Sequence, residues 1–347
     1  MRIFGIPANI ARWHTHHTVI AAAILLFSLA VSVSIGAVTV PLSTVWNIIL
    51  HNLLPGGGRE GWTSGEAAIV WNIRFPRALL ACLVGSGLAL VGTALQAVTR
   101  NPLADPHLLG ISSGGAFGAI LALLHTGLFL GPLTVPLMAF AGACCATLLV
   151  LAVARFAAAV SASRLVLVGV AVSFVVMSCA NLLIFFGDPR ATHTVVFWML
   201  GGLGLAQWGH LGHPLIVLIG CGLFFFLYSA KLDGIMAGDE TAASLGIRVQ
   251  SFRLITFVAA ALLTGVMVAY SGIIGFVGLM VPHIARMAVG GSNRRVLPAS
   301  AAIGAVFLLW ADTLARILTA PEDMPIGVVT GLVGGVFFVW LLRRRSF

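Results

Sequence analysis

Charged side chains are scarce in this sequence. They make up 8% of its 347 residues, whereas hydrophobic residues make up 60%. Soluble domains carry about 25% charged residues. A soluble core of this size has no use for so much apolar surface, so the composition excludes a soluble globular protein. The sequence predicts an all-α polytopic membrane protein, with a single transmembrane domain over residues 1–347.

Lysine is almost absent, and Lys231 is the single example. The chain therefore has no Gly-Lys pair, which excludes the GxxxxGK[ST] loop whose lysine binds nucleotide phosphates. If this chain takes part in an ATP-driven process, ATP and Mg²⁺ must bind to a partner ATPase. The five cysteines lie in apolar runs and have neither metal-site nor disulfide-framework spacing. We expect this chain to bind no cofactor and no metal.

Apolar runs long enough to span a bilayer occur ten times. With the N-terminus in the cytoplasm, 14 of the 19 lysines and arginines fall on the cytoplasmic side of these runs. This bias predicts ten transmembrane helices with both termini cytoplasmic. The basic residues are scattered and form no patch, so the expected surroundings are membrane lipid and not nucleic acid. The runs cover 18–40, 76–98, 109–125, 133–157, 164–186, 208–229, 249–269, 273–289, 296–316 and 325–342.

Glycines recur at four-residue spacing in two of the runs. Gly114 and Gly118 form one such set, and Gly327, Gly331 and Gly335 form another. Small residues at this spacing let two helix backbones approach closely. The pattern predicts helices that pack on other helices.

Two polar segments interrupt the apolar pattern on the predicted cytoplasmic side. The first, "NPLADPHLLGISSGGAFG" (101–118), has two prolines that end one helix and shape a turn. Irregular backbone at this depth fits a gate, and a plain connection fits equally. The second, "GDETAASLGIRVQ" (238–250), predicts a short helix with acids in its first turn and a stop at Gly246. Such a helix can dock into a partner or merely connect two spans.

Four segments closely resemble one family of transport proteins. They are "IRFPRALLACLVGSGLALVGTALQAVTRNPLADPHLLGISSGGAFG" (73–118), "GDETAASLGI" (238–247), "SGIIGFVGLMVPHIAR" (271–286) and "ADTLAR…MPIGVVTGLVGGVFFVWLL" (311–342). They occur in the family's order and extend across nearly the whole chain. The sequence is similar to the FecCD-type (type II) permeases of ATP-binding-cassette importers, which move iron complexes and vitamin B12.

The resemblance implies a transport subunit and not an enzyme. It implies a homodimer of ten-helix subunits in the bacterial inner membrane, with the path at the dimer interface. Two cytoplasmic ATPase subunits and a periplasmic solute-binding protein are the implied partners. The implied solute is haem or another iron complex such as a ferric siderophore, with cobalamin as the alternative. The overall similarity to haem permeases favours haem.

The resemblance also implies roles for individual residues. Residues of the 238–246 region couple to the ATPase: Gly238, Asp239, Glu240, Thr241, Ala242, Ala243, Leu245 and Gly246. The cytoplasmic gate comprises Asn101, Leu103, Ala162 and Ser163. Relatives carry a hydroxyl where this chain has Ala162, which weakens a polar role at that position. The residues that dock the binding protein are Arg74, Arg77 and Arg316.

Physical chemistry allows two interpretations of these arginines. A guanidinium is permanently charged and can donate two parallel hydrogen bonds to one carboxylate, which suits docking to acidic lobes of a binding protein. Arg74 and Arg77 could instead extend to the membrane interface from a helix end. Arg316 could instead pair within its own helix with Asp312, four residues earlier.

Two other classes of transporter predict different sequence features. An ion-coupled secondary transporter predicts acids inside the membrane as ion ligands. The acids here lie in loops or at helix ends, and Asp312 is the one nearest the membrane. A passive channel has no need for a capped cytoplasmic helix at 238–246.

Overall fold

The computed structural model describes residues 8–54, 61–106, 110–156 and 162–344. Over these ranges the chain is built from α-helices joined by turns and short π or 3-10 segments. The helices are α1 (Ala8–Ser34), α2 (Leu42–Leu53), α3 (Ser64–Ala67), α4 (Phe75–Thr99), α5 (Ile111–Leu121), α6 (Thr134–Phe156), α7 (Ala162–Phe185), α8 (Pro189–Met199), α9 (Gly212–Leu227), α10 (Ser229–Met236), α11 (Asp239–Ser244), α12 (Val249–Ser271), α13 (Val277–Val289), α14 (Asn293–Leu318) and α15 (Ile326–Arg344).

A helix lies in each of the ten predicted spans. Six helical stretches of the described chain are long and apolar enough to cross a membrane, and four apolar helices are shorter. The chain is therefore an all-α polytopic membrane protein, as predicted. The number of crossings and the side of the termini stay predictions. The six are Ser64–Thr99, Gly131–Phe156, Val166–Phe185, Trp208–Leu227, Val249–Ser271 and Asn293–Leu318; the four are Val19–Ser34, Ile111–Thr126, Val277–Val289 and Ile326–Leu341.

Helix α4 lies at the centre of the bundle and packs against α9, α12, α13 and α14. Two glycines bring its backbone directly onto its neighbours. A Cβ at Gly85 would lie 2.1 Å from the carbonyl oxygen of Gly304 in α14. A Cβ at Gly92 would lie 1.8 Å from the carbonyl oxygen of Gly278 in α13. Contact between backbones therefore fixes α4 against both helices.

The glycines at four-residue spacing behave in two ways. A Cβ at Gly114 would lie 2.3 Å from the carbonyl oxygen of Gly142, and one at Gly118 would lie 1.9 Å from that of Met138. The predicted close packing is therefore confirmed between α5 and α6. In α15, a Cβ at Gly327 would lie 2.2 Å from the carbonyl oxygen of Leu200, so this glycine is also closely packed, whereas Gly331 and Gly335 have open space around them.

Irregular backbone shortens one predicted span and ends another early. The run 273–289 yields α13 only from Val277, because Gly272 and Phe276 both have positive φ angles, 65° and 68°. The run 18–40 yields α1, which ends at Ser34. The chain then forms α2, whose Val45 and Ile48 are fully buried. Its twelve residues are too few to span a bilayer, so the apolar runs of the sequence do not predict it.

Candidate functional site

The predicted coupling helix, α11, is ended by backbone bonds that its sequence encodes. Gly238 precedes it with φ 128°, a conformation that glycine adopts without a steric penalty. At its other end the N–H of Gly246 donates to the carbonyl of Ala243 at 2.9 Å. The N–H of Ile247 donates to the carbonyl of Ala242 at 3.0 Å. This pair of bonds is a Schellman ending, and it agrees with the predicted stop at Gly246.

The two faces of α11 have different environments. Ala242 is fully buried against the bundle. Glu240, Thr241 and Ala243 are exposed. Leu245, directly after the helix, is 68% exposed. The exposed face of α11 therefore consists of small and polar residues beside an exposed leucine, and its docking to a partner stays a prediction.

The first predicted gate segment is a tight turn at the end of α4. We call residues 100–104 the gate loop. Arg100 adopts a left-handed conformation with φ 51°, and the N–H of Asn101 donates to the carbonyl of Gln96 at 3.3 Å. The side-chain oxygen of Asn101 accepts the N–H of Leu103 at 2.9 Å. Asn101 therefore shapes the turn, and Leu103 is left 56% exposed.

The second predicted gate segment is only partly described. Ala162 and Ser163 form the start of α7. Their side chains, and residues 107–109 and 157–161, lie outside the described part of the chain. The role of Ala162 and Ser163 in a gate stays a prediction.

A buried arginine connects α11 to the end of α4. Arg253 of α12 is 4% exposed. Its Nε donates to the carbonyl of Val98 at 3.0 Å, and its Nη2 donates to both carboxylate oxygens of Asp239 at 3.0 and 3.2 Å. Beside it, a Cβ built on Gly238 would lie 3.8 Å from Nη1 of Arg100. The predicted coupling helix and gate loop therefore meet at one end of the bundle.

The opposite end, which we call the arginine end, contains Arg74, Arg77 and Arg316. Arg74 is 7% exposed, and its Nη1 donates to the carbonyls of Val33 and Ser34 at 3.0 Å each. The last carbonyls of a helix have no partner within the helix and carry partial negative charge. Arg74 therefore caps the C-terminus of α1.

The other two arginines share a buried aspartate. Asp312 is fully buried and accepts from Nε of Arg77 at 2.9 Å and from Nε of Arg316 at 3.1 Å. Asp323 also accepts from Arg77. Arg316 reaches further, to the carbonyl of Ser32 in α1 at 3.0 Å. The network therefore joins α1, α4, α14 and the loop before α15.

These contacts bear on whether the three arginines dock a binding protein or pair within the subunit. The expected intrahelical pair between Arg316 and Asp312 is confirmed. Arg74, Arg77 and Arg316 are all more than nine-tenths buried, and each holds internal partners. Docking to a binding protein stays a prediction for all three, because an incoming carboxylate would have to compete with those partners.

Metal-ligating residues are not gathered anywhere in the described chain. No group of three or more His, Cys, Asp or Glu in those ranges could hold a metal ion. The five cysteines are free thiols. The expectation that this chain binds no cofactor stays a prediction.

Comparison with known proteins gives one family. Residues 24–344 match the FecCD transport family. The chain is 36% identical over 333 residues to the hemin transport system permease protein HmuU of Yersinia pestis, which covers 93% of this chain and 94% of that protein. It is 36% identical over 287 residues to the vitamin B12 import system permease protein BtuC of Vibrio cholerae, covering 82% of this chain and 86% of that protein.

A solved structure gives the same result for the fold. The chain is similar to a metal-chelate type ABC transporter in an inward-facing conformation, with a TM-score of 0.79 and 28% sequence identity. The similarity covers 94% of this chain and 98% of that one.

Proposed function

Because the chain belongs to the FecCD transport family, and is a permease subunit of an ABC importer and not an enzyme, we propose that it imports haem or another iron complex. The 36% identity to a hemin permease over 93% of the chain carries this proposal. Transport runs from periplasm to cytoplasm across the bacterial inner membrane. Family membership decides against an ion-coupled secondary transporter.

We propose that the path lies between two copies of this chain. The support comes from α15, where Gly331 and Gly335 have open space around them. Leu332, Val336 and Val339 of the same helix are 66%, 70% and 70% exposed. Glycines on an apolar helix allow a second backbone to approach closely, as a dimer of this subunit requires.

Two ATPase subunits complete the proposed importer, and ATP and Mg²⁺ bind to them. The exposed face of α11 supports this assignment, because it presents Thr241, Ala243 and Leu245 away from the bundle. A periplasmic solute-binding protein docks at the arginine end, where Arg74, Arg77 and Arg316 remain its proposed contacts.

Cobalamin is the second candidate solute. It is favoured by the 36% identity to the vitamin B12 permease of Vibrio cholerae. The two candidates share the family, the fold and the partners, so only a transport measurement separates them.

The test is uptake into liposomes that contain the chain and an ATPase subunit of this transporter class from the same organism. The binding protein is added, followed by hemin, cyanocobalamin or ferrichrome in separate assays. We expect ATP-dependent uptake of hemin. Uptake of cyanocobalamin alone would show that the solute is vitamin B12 and not an iron complex. If the chain bound no ATPase, the proposal of ATP-driven import would be wrong.

Ala242→Pro tests the coupling assignment. Proline removes the N–H that Ala242 donates to the carbonyl of Gly238 at 2.9 Å, and a proline inside a helix costs about 3 kcal/mol. We expect α11 to unfold and ATP-driven uptake to fall at least about tenfold, since loss of coupling between two sites typically has effects of about 5–150-fold.

Val249→Pro is the matched control for this variant. Val249 is the first residue of α12, a position that tolerates proline, and Arg248 before it lies outside the α region that proline disfavours, with φ −74° and ψ 82°. We expect wild-type uptake. Equal uptake by the Ala242 and Val249 variants, with the ATPase bound in both, would contradict the coupling role.

A further inference from the structure

We propose that Arg253 is a positioning residue that transmits movement of α11 to the gate loop. The inference rests on the proposed function, because it needs an ATPase that moves α11. Three features of the structure carry it: the two bonds of one guanidinium, the nearness of Arg100 to Gly238, and the hydrogen bonds that hold the segment before α11.

The guanidinium of Arg253 joins two separate elements. Its Nη2 holds the carboxylate of Asp239, the first residue of α11, and its Nε holds the carbonyl of Val98 near the end of α4. The gate loop starts two residues after Val98. A guanidinium is rigid and planar, so the two bonds cannot shift independently. A displacement of Asp239 therefore pulls on the backbone that leads into the gate loop.

Arg100 lies close to Gly238, beside this bridge. A Cβ at Gly238 would lie 3.8 Å from Nη1 of Arg100, so the Arg100 side chain is next to the residue before α11. The φ of 128° at Gly238 favours glycine, which leaves this space to the Arg100 guanidinium. The gate loop and the start of α11 are thus adjacent at the Arg253 bridge.

Helix α10, which precedes α11, is held by hydrogen bonds to the start of α14. Asp233 of α10 accepts the backbone N–H of Asn293 at 2.8 Å, its side-chain amide at 2.7 Å and the hydroxyl of Ser292 at 3.0 Å. These bonds fix α10 to the start of α14, and α14 contacts α4 through Gly304. Because α10 is fixed to α14, a movement of α11 reaches the end of α4 through Arg253.

The test is the number of ATP molecules hydrolysed per solute molecule taken up. It uses liposomes with the full complex and whichever of hemin, cyanocobalamin and ferrichrome the wild-type protein transports. Arg253→Met keeps an unbranched apolar stem and loses every donor, so we expect this ratio to rise about tenfold, within the usual range of coupling between sites. Arg253→Lys supplies one ammonium group, which can bind Asp239 or the carbonyl of Val98 but cannot hold both in the fixed geometry of a guanidinium. We expect an intermediate ratio of ATP hydrolysed to solute taken up.

Arg248→Met is the matched control, since Arg248 is an exposed arginine five residues away, and its ratio should equal that of wild type. A wild-type ratio in assembled Arg253→Met or Arg253→Lys complexes would overturn the inference. So would failure of the lysine variant to assemble with the ATPase, because Arg253 would then be needed for folding alone. Wild-type protein that transports none of the three solutes would count against the proposed function instead.

Discussion

Asp312→Ala is expected to lower the free energy of unfolding by about 3–5 kcal/mol, which is the usual result of removing one partner from a buried ion pair. Asp312 is fully buried and is shared by Arg77 and Arg316. The alanine variant leaves two guanidiniums in a low-dielectric site without their common carboxylate. Asp323 still accepts from Arg77, so the larger share of the effect falls on Arg316.

Thermal unfolding of the purified protein in detergent measures this effect. Glu322→Ala serves as the control, because Glu322 is exposed and lies next to Asp323. We expect a wild-type melting temperature for the control and a large decrease for the Asp312 variant. Equal melting temperatures would show that the network does not stabilise the arginine end.

Arg316→Met in the same assay separates stability from docking. A docking residue predicts an unchanged melting temperature and weaker stimulation of the ATPase by the binding protein. A capping residue predicts a lower melting temperature, because the carbonyl of Ser32 loses its donor. The contacts favour a lower melting temperature, and weaker stimulation of the ATPase in the folded variant would show that Arg316 also docks the binding protein.

Gly92→Ala is the second substitution with a large expected effect. In an open helix, alanine is more favourable than glycine by about 1 kcal/mol. At Gly92 the new Cβ would lie 1.8 Å from the carbonyl oxygen of Gly278, and a backbone atom cannot rotate away. We expect α4 and α13 to separate and the free energy of unfolding to fall by about 3 kcal/mol, the upper end of the overpacking range.

Gly220→Ala gives the opposite expectation from the same chemical change. Gly220 lies within α9, and a Cβ built there meets nothing within 4 Å. Its alanine variant should unfold at an equal or higher temperature than wild type. A decrease of the same size in both variants would indicate that the contact between α4 and α13 is not the cause.

Helix positions were the most predictable part of this structure. The apolar run 76–98 became α4 (Phe75–Thr99), and the run 249–269 became α12 (Val249–Ser271). A bilayer demands about 20 apolar residues in a row, so the signal is strong and local. The ends of α11 were also predictable, because Gly238 and Gly246 set them.

The side-chain contacts that join the helices were not predictable in the same way. Arg77 and Asp312 are 235 residues apart, so only the folded bundle brings them together. Arg253 and Asp239 are 14 apart, but a turn separates their helices and no periodicity relates them. Only the pair of Asp312 and Arg316 has a spacing within one helix that a sequence reveals.

The capping of α1 has a consequence for biosynthesis. The residues that hold its C-terminal end come from distant points in the chain: Arg74 is about 40 residues later than its acceptors, and Arg316 is 284 residues later than Ser32. A nascent chain therefore inserts α1 long before the ribosome has made its last cap. The arginine end closes only after synthesis passes Arg316, so a truncated chain presents an unsatisfied helix terminus to the cell's membrane-protein quality control.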